Sequence, residues 1–184
     1  ERNHYIMTPT GALRQCWLSI EGMVTSEDGK SLDFSDALIL APEGFLDFYA
    51  QFVSDALTKL GVKTTQYAFS LPELVIRRNN PTEMRSTTVA RALDKEENIL
   101  ALATIISREA KDTQTVVIPA VLGFERTDVL SRLEKITGKR ILQVATLPPS
   151  VEGIKAERAL RKTFEHMGGV IFNGHTATSF TMED

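Results

Sequence analysis

Five side chains in one stretch carry the strongest chemical signal in the sequence. Arg77, Arg78, Asn79 and Asn80, with Arg85 shortly after, put three guanidinium groups and two amides close together in the chain. Guanidinium forks match carboxylates and phosphates bidentately, so the set could hold an anion or pair with acids of a neighbouring domain. The competing reading is a solvated loop whose asparagines bond nearby backbone, although Pro72 and Pro81 favour an ordered connection. A second set, Thr8-Pro9-Thr10-Gly11-Ala12-Leu13-Arg14, offers the hydroxyl of Thr10, a bare backbone at Gly11 and the cation of Arg14, but it also suits a plain hairpin turn. Ser150 precedes a helix whose first N–H groups could receive an anion, with Glu152 in the first turn arguing against one.

Other chemistries lack their residues. No G-x-G-x-x-G or Walker A sequence supplies a phosphate cradle. His4, His166 and His175 are isolated and Cys16 stands alone, so no metal-ligand spacing exists. There is no G-x-S-x-G elbow, and Cys16 reads better as a small buried residue than as a nucleophile. His166 falls in the last turn of a helix, where a cation favours the dipole.

The elements that must position these groups alternate. Residues 1–35 hold short strand-like runs, at 5–7 and 13–20, and turn signals, which predict a small antiparallel elaboration with Trp17 packed as an anchor. The apolar run 37–41 reads as a strand covered on both faces. Phe45, Phe48, Tyr49, Phe52, Val53, Ala56, Leu57 and Leu60 then follow helical spacing, with Gly61 as the stop. A strand over 62–69 leads into a long connection over 70–85, and a short helix over 87–93 follows it. Asp94 with Glu97 forms a capping-box-like start for a helix to about Ala110. A strand at 115–119, a helix capped by Thr127 and a strand at 140–145 come next. Thr146-Leu-Pro-Pro-Ser150 leads to the helix from Val151 to Met167, stopped by Gly168-Gly169. The stretches 170–172 and 176–184 read as strands.

This alternation predicts an α/β domain with a mostly parallel sheet and helices on both faces, three-layered and Rossmann-like. Helix-to-strand connections are tight and glycine-stopped, whereas strand exits are longer and rich in proline or polar residues. The four exit loops, at 41–44, 70–85, 120–125 and 146–150, should therefore cluster at one edge, where open α/β sheets bind ligands.

Composition sets the outer bounds. The 184 residues suit one domain with 42% hydrophobic and 24% charged residues, and a net charge of −3 gives no nucleic-acid or anionic-membrane footprint. One cysteine rules out an internal disulfide framework and fits a reducing compartment. No apolar run approaches the ~20 residues of a membrane span. The start, Glu-Arg-Asn-His, is neither an initiator methionine nor a signal peptide, as expected of a segment of something larger.

Several collinear segments carry a family resemblance. Met7-Thr-Pro-Thr-Gly-Ala-Leu-Arg-Gln-Cys-Trp-Leu18 is similar to the T-P-x-G-x-L-R-x-x-W segment of the B subunit of anaerobic glycerol-3-phosphate dehydrogenase. Gly44-Phe-Leu-Asp-Phe48, Leu71-Pro-Glu73, Arg78-Asn-Asn-Pro-Thr-Glu-Met-Arg85, Ala90-Arg-Ala-Leu-Asp-Lys-Glu-Glu-Asn98 and Thr146-Leu-Pro-Pro-Ser-Val-Glu-Gly-Ile154 extend the likeness along nearly the whole chain. The resemblance implies a flavoprotein whose complex oxidises sn-glycerol 3-phosphate to dihydroxyacetone phosphate and passes electrons to quinone. It implies FMN (or FAD) as the cofactor of the full-length protein. The implied partners are the catalytic flavin-carrying A subunit and the membrane-bound iron–sulfur C subunit, the latter giving a place on the cytoplasmic face of the inner membrane. The nucleotide-binding fingerprint of such flavoproteins is missing here. Residues 1–184 accordingly resemble the central cap or insert domain, with no flavin expected to be held by this segment alone and 169–184 leading back towards a flavin domain. Thr10, Gly11, Arg14, Arg78, Asn79, Asn80, Arg85 and Ser150 are the ligand-facing candidates, with no catalytic residue or metal ligand among them. A non-catalytic domain that docks the partner subunits is the alternative.

Overall fold

In a computed structural model, residues 3–80 and 84–182 are described, with the side chain of Arg78 outside that description. Two sheets form. The smaller is antiparallel, in the order β2(Leu13–Cys16), β1(His4–Met7), β3(Thr25–Ser26). The larger is wholly parallel, in the order β5(Lys63–Phe69), β4(Asp36–Pro42), β6(Thr115–Pro119), β7(Arg140–Val144). Among the described residues, six helices accompany them: α1(Ala50–Lys59), α2(Pro72–Arg78), α3(Ser86–Leu93), α4(Glu96–Glu109), α5(Val129–Thr137) and α6(Val151–His166).

The crossovers explain the layers. From β4 the chain moves through α1 to β5 on one side, then returns through α2, α3 and α4 to β6 on the other. Right-handed connections in opposite directions put α1 on one face and α4 and α5 on the other. The packing agrees, because α1 meets β4 and β5 while α4 meets α3 and α5. All five residues of β6 are buried, as a central strand covered on both faces requires. Ile99, Leu102, Ala103 and Ile106 form the buried stripe of α4.

The N-terminal elaboration is attached at two points. At its first, the segment 22–24 runs along β7: Gln143 N–H donates to Gly22 O at 2.6 Å and Val24 N–H to Gln143 O at 2.8 Å. An edge strand that would otherwise expose its ladder groups is thereby covered. At the second, the β1–β2 turn sits on α1. Gly11 has φ +81°, and a Cβ there would lie 2.5 Å from Phe52 O and 2.6 Å from Ala56 Cβ. Both the left-handed backbone and the close approach demand glycine.

Several expectations change. Trp17 is 65% exposed instead of anchoring the core. The helix expected from Phe45 begins at Ala50, because residues 43–48 form turns that bury Phe45 and Phe48 from a loop. The long connection after β5 contains α2. Asp94 does not cap α4, whose N-cap is Lys95, and Thr127 does not cap α5, whose N-cap is Asp128. Residues 170–172 and 176–182 are not strands: no neighbouring strand lies beside them, and β-propensity without a ladder partner makes no sheet. The last two residues of the expected C-terminal strand lie outside the described residues. Ser150 does cap α6, accepting Gly153 N–H at 3.1 Å.

Because Gly11 is both left-handed and in close contact, Gly11→Ala should lower unfolding free energy by about 2–3 kcal/mol. Gly61 has φ +84°, and a Cβ placed there would meet nothing within 4 Å, so Gly61→Ala should cost only about 1 kcal/mol. Urea denaturation of the two variants checks the difference.

Candidate functional site

The carboxyl ends of β4 to β7 share one edge, and a buried acid draws their exit loops together. Asp47, in the loop leaving β4, is fully buried. Its Oδ2 accepts Ser86 N–H at 2.8 Å and Ser86 Oγ–H at 2.9 Å, at the start of α3. Arg85 Nε stands 3.1 Å from Oδ1, a charge contact without the alignment of a directed hydrogen bond. On the other side, Leu147 N–H donates to the Asp47 carbonyl at 3.2 Å. One residue thus joins the exits of β4, β5 and β7. Glu43 N–H to Phe69 O, at 2.8 Å, adds a second tie between the first two.

The fourth exit is held by Asp94, whose carboxylate accepts Phe124 N–H at 3.1 Å and Glu125 N–H at 2.7 Å. Phe124 lies between two cations, with Arg91 4.8 Å and Arg158 4.7 Å from its ring centre. Arg158 comes from α6 and also donates to Phe124 O at 3.4 Å. The four exit loops therefore cluster as their chemistry predicts.

The guanidinium set is divided by this packing. Arg77 pairs with Glu73 at 3.0 Å, and the same Glu73 carboxylate takes Lys95 at 3.0 Å and Asn98 Nδ2 at 2.9 Å, fastening α2 to the start of α4. With Arg85 beside Asp47, two of the three cations meet acids of this domain. Asn79 and Asn80 are exposed at the end of α2, and Arg78 shares that end in sequence. Thr10 and Gly11 form the hairpin turn on α1, Thr10 Oγ1 lying 3.2 Å from Thr8 Oγ1. Arg14 is exposed on β2, opposite Ile6. No described contact joins these hairpin residues to Arg85 or Ser150.

At the β7 exit, Glu152 turns back so that its Oε1 accepts Thr146 N–H at 2.8 Å. Burial raises its carboxyl above the usual value of 4.5, against the lowering effect of nearby N–H donors, the Thr146 amide among them. An acid therefore occupies the first turn of α6, where an anion would otherwise sit.

A dinucleotide cradle would require a glycine-rich turn from the first strand directly into a helix N-terminus. The connection from β4 to α1 instead spans residues 43–49, carries the carboxylates of Glu43 and Asp47, and ends at Tyr49 without a side-chain cap. The described residues at this edge do not fit a flavin pyrophosphate.

Sequence reasoning missed Asp47 and Asp94. An acid placed among Phe45, Leu46 and Phe48 was the available signal for Asp47, since a carboxylate carried into the core needs donors.

Comparison with known proteins places this geometry in context. The model of the FAD binding domain family matches residues 1–184. The chain is 37% identical over 177 residues to the B subunit of anaerobic glycerol-3-phosphate dehydrogenase from Pectobacterium atrosepticum, covering 96% of this chain and 42% of that protein. The protein of the same name from Yersinia pestis bv. Antiqua is 36% identical over 94% of this chain and 41% of its own length. That from Actinobacillus pleuropneumoniae is 34% identical, over 99% and 44% respectively. The chain thus spans about two-fifths of the length of these relatives. No solved structure matches.

Two outcomes test the electrostatics. Asp47→Ala strands Arg85 and the Ser86 donors and should cost about 3–5 kcal/mol, with Asp47→Asn costing less. For Glu152, a raised folded-state pKa means that the fold favours the proton. Its contribution is complete below the unfolded value near 4.5 and is lost as pH rises through the folded value. Glu152→Gln should therefore gain stability relative to the parent between pH 4 and pH 7, read from urea midpoints.

Proposed function

The chain belongs to the FAD binding domain family and is a relative of the B subunit of anaerobic glycerol-3-phosphate dehydrogenase; from that premise we propose that it is the cap domain of such a flavin-containing protein. The observation that carries the reading is likeness along nearly the whole chain, between 94% and 99% of it, to proteins bearing that name. In this reading the full-length protein takes part in oxidising glycerol 3-phosphate to dihydroxyacetone phosphate. Electrons pass towards quinone through the catalytic flavin-carrying A subunit and the membrane-bound iron–sulfur C subunit. The flavin, FMN or FAD, supplies the two-electron acceptor and is held by residues outside this chain. The iron–sulfur partner brings the assembly to the cytoplasmic face of the inner membrane. No helix among the described residues is long and apolar enough to cross a membrane itself.

The chain's own part is to present the exit edge to the flavin domain. Asn79 and Asn80 are exposed at the end of α2, and Arg78 stands beside them in sequence. Arg85 is held at its stem by Asp47 while 41% of its side chain stays exposed, which leaves the rest of the fork for a ligand. Thr10, Gly11, Arg14 and Ser150 complete the ligand-facing set.

A second reading, a non-catalytic domain that joins partner subunits, is favoured by one observation. Phe164, Met167, Val170 and Phe172 are all exposed along the end of α6 and the chain beyond it.

The test is made in the full-length protein, reconstituted with its partners. Arg78→Ala with Arg85→Ala should lower glycerol 3-phosphate turnover or flavin content by about tenfold. Unchanged flavin content together with unchanged quinone-linked turnover removes the site assignment. Normal chemistry combined with failure of the complex to assemble selects the second reading.

A further inference from the structure

Beside the exit loops at 120–125 and 146–150, a cavity of ≈ 720 Å³ opens between α5, α6 and the segment that runs along β7. Its walls are largely aliphatic, with Ile6, Met23, Leu122, Leu130 and Leu160 among them. At its back lies Gln143, on β7 and only 2% exposed.

The hydrogen bonds of Gln143 fix which way its amide faces. Leu122 N–H points at the side chain at 3.3 Å, and only the carbonyl oxygen can accept it, so Oε1 is assigned to that contact. The Nε2 group is left with no acceptor among the described residues, and it is not one of the sealed atoms that lack partners. Because Gln143 lines the cavity, that donor is available to a molecule inside it. An amide donor open to a largely aliphatic cavity offers one directed contact to a molecule that brings an acceptor there.

The remaining charges narrow the class of that acceptor. Glu21, Glu134 and Glu152 line the same cavity, with Lys155 the one cation among the described lining residues. Three acids oppose an anionic ligand such as a phosphate ester. Glu134 and Glu152 each accept a backbone N–H, from Ile141 at 2.9 Å and from Thr146 at 2.8 Å, while Glu152 Oε2 has no hydrogen-bond partner, and a donor at the back repels a cation. We propose that this cavity binds a neutral, mainly hydrocarbon molecule carrying a carbonyl oxygen, with Gln143 Nε2 as the donor that selects the carbonyl. Ring carbonyls of a quinone and of a phosphate-free isoalloxazine share this chemistry. The cavity borders the exit loops through Leu122, Gly123 and Ser150, but the proposal rests on Gln143 and not on the functional reading of that edge.

Three probes separate the sources: 2-methyl-1,4-naphthoquinone, lumiflavin, and 2-methylnaphthalene as the ring without carbonyls. Equilibrium dialysis against the purified protein should show saturable binding of the quinone or of lumiflavin, at least about fivefold tighter than 2-methylnaphthalene. Which of the two binds identifies the source. Gln143→Glu keeps an oxygen for the Leu122 amide and replaces the donor, so it should weaken the carbonyl probe by about tenfold and leave 2-methylnaphthalene within twofold. Ala159→Phe fills the cavity from α6 and should abolish binding of all three probes; it decides the question if Gln143→Glu does not fold. Equal affinity for the quinone and 2-methylnaphthalene, no saturable binding of either carbonyl probe, or full binding by either variant overturns the proposal.

Discussion

A fully buried carboxylate at the end of the sheet imposes the arrangement of everything around it. Asp47 cannot be carried out of water without donors, and the donors come from elements far away in sequence: Ser86 by its backbone and hydroxyl groups, and Arg85 by its charge. Satisfying it fixes where α3 starts, and the Asp47 carbonyl then holds the chain leaving β7. The clustering of the exit loops is thus a consequence of one desolvated charge as much as of parallel topology. Asp94 repeats the device for the loop leaving β6.

The same economy of buried polar groups governs the sheet's other margin. Covering β7 with residues 22–24 satisfies the edge ladder, yet those residues form one wall of a space that the helices do not fill. Inside it, Gln143 is half satisfied, bonded through its oxygen and open through its nitrogen. At the exit edge, too, Asp47 Oδ1, Thr146 Oγ1 and Glu152 Oε2 are buried without a hydrogen-bond partner.

Arginine and lysine placement follows the same logic. Arg77, one of the three cations that suggest an anion site in sequence, converges with Lys95 on Glu73 and joins helices, and Arg91 and Arg158 flank Phe124. Exposed apolar side chains gather instead on the end of α6 and the residues after it, where Phe164, Met167 and Phe172 meet no partner in the core.

The sequence by itself determined the local elements and their order. Helical spacing, the glycine stop at Gly138 and the Ser150 cap are short-range features, written by backbone sterics and by hydrogen bonds within a few residues. Contrasting loop chemistry likewise identified the strand-exit edge, because glycine-stopped returns differ in composition from proline-rich exits. Only the tertiary structure decided what pairs with what. Whether Arg85 meets a ligand or Asp47, whether Trp17 is buried, and whether residues 170–172 find a neighbouring strand all depend on contacts between residues distant in the chain. Gln143 shows the limit most plainly. Its sequence neighbours mark it as one polar residue in an apolar strand, and the direction of its free donor is set by the Leu122 amide, which the fold brings to it.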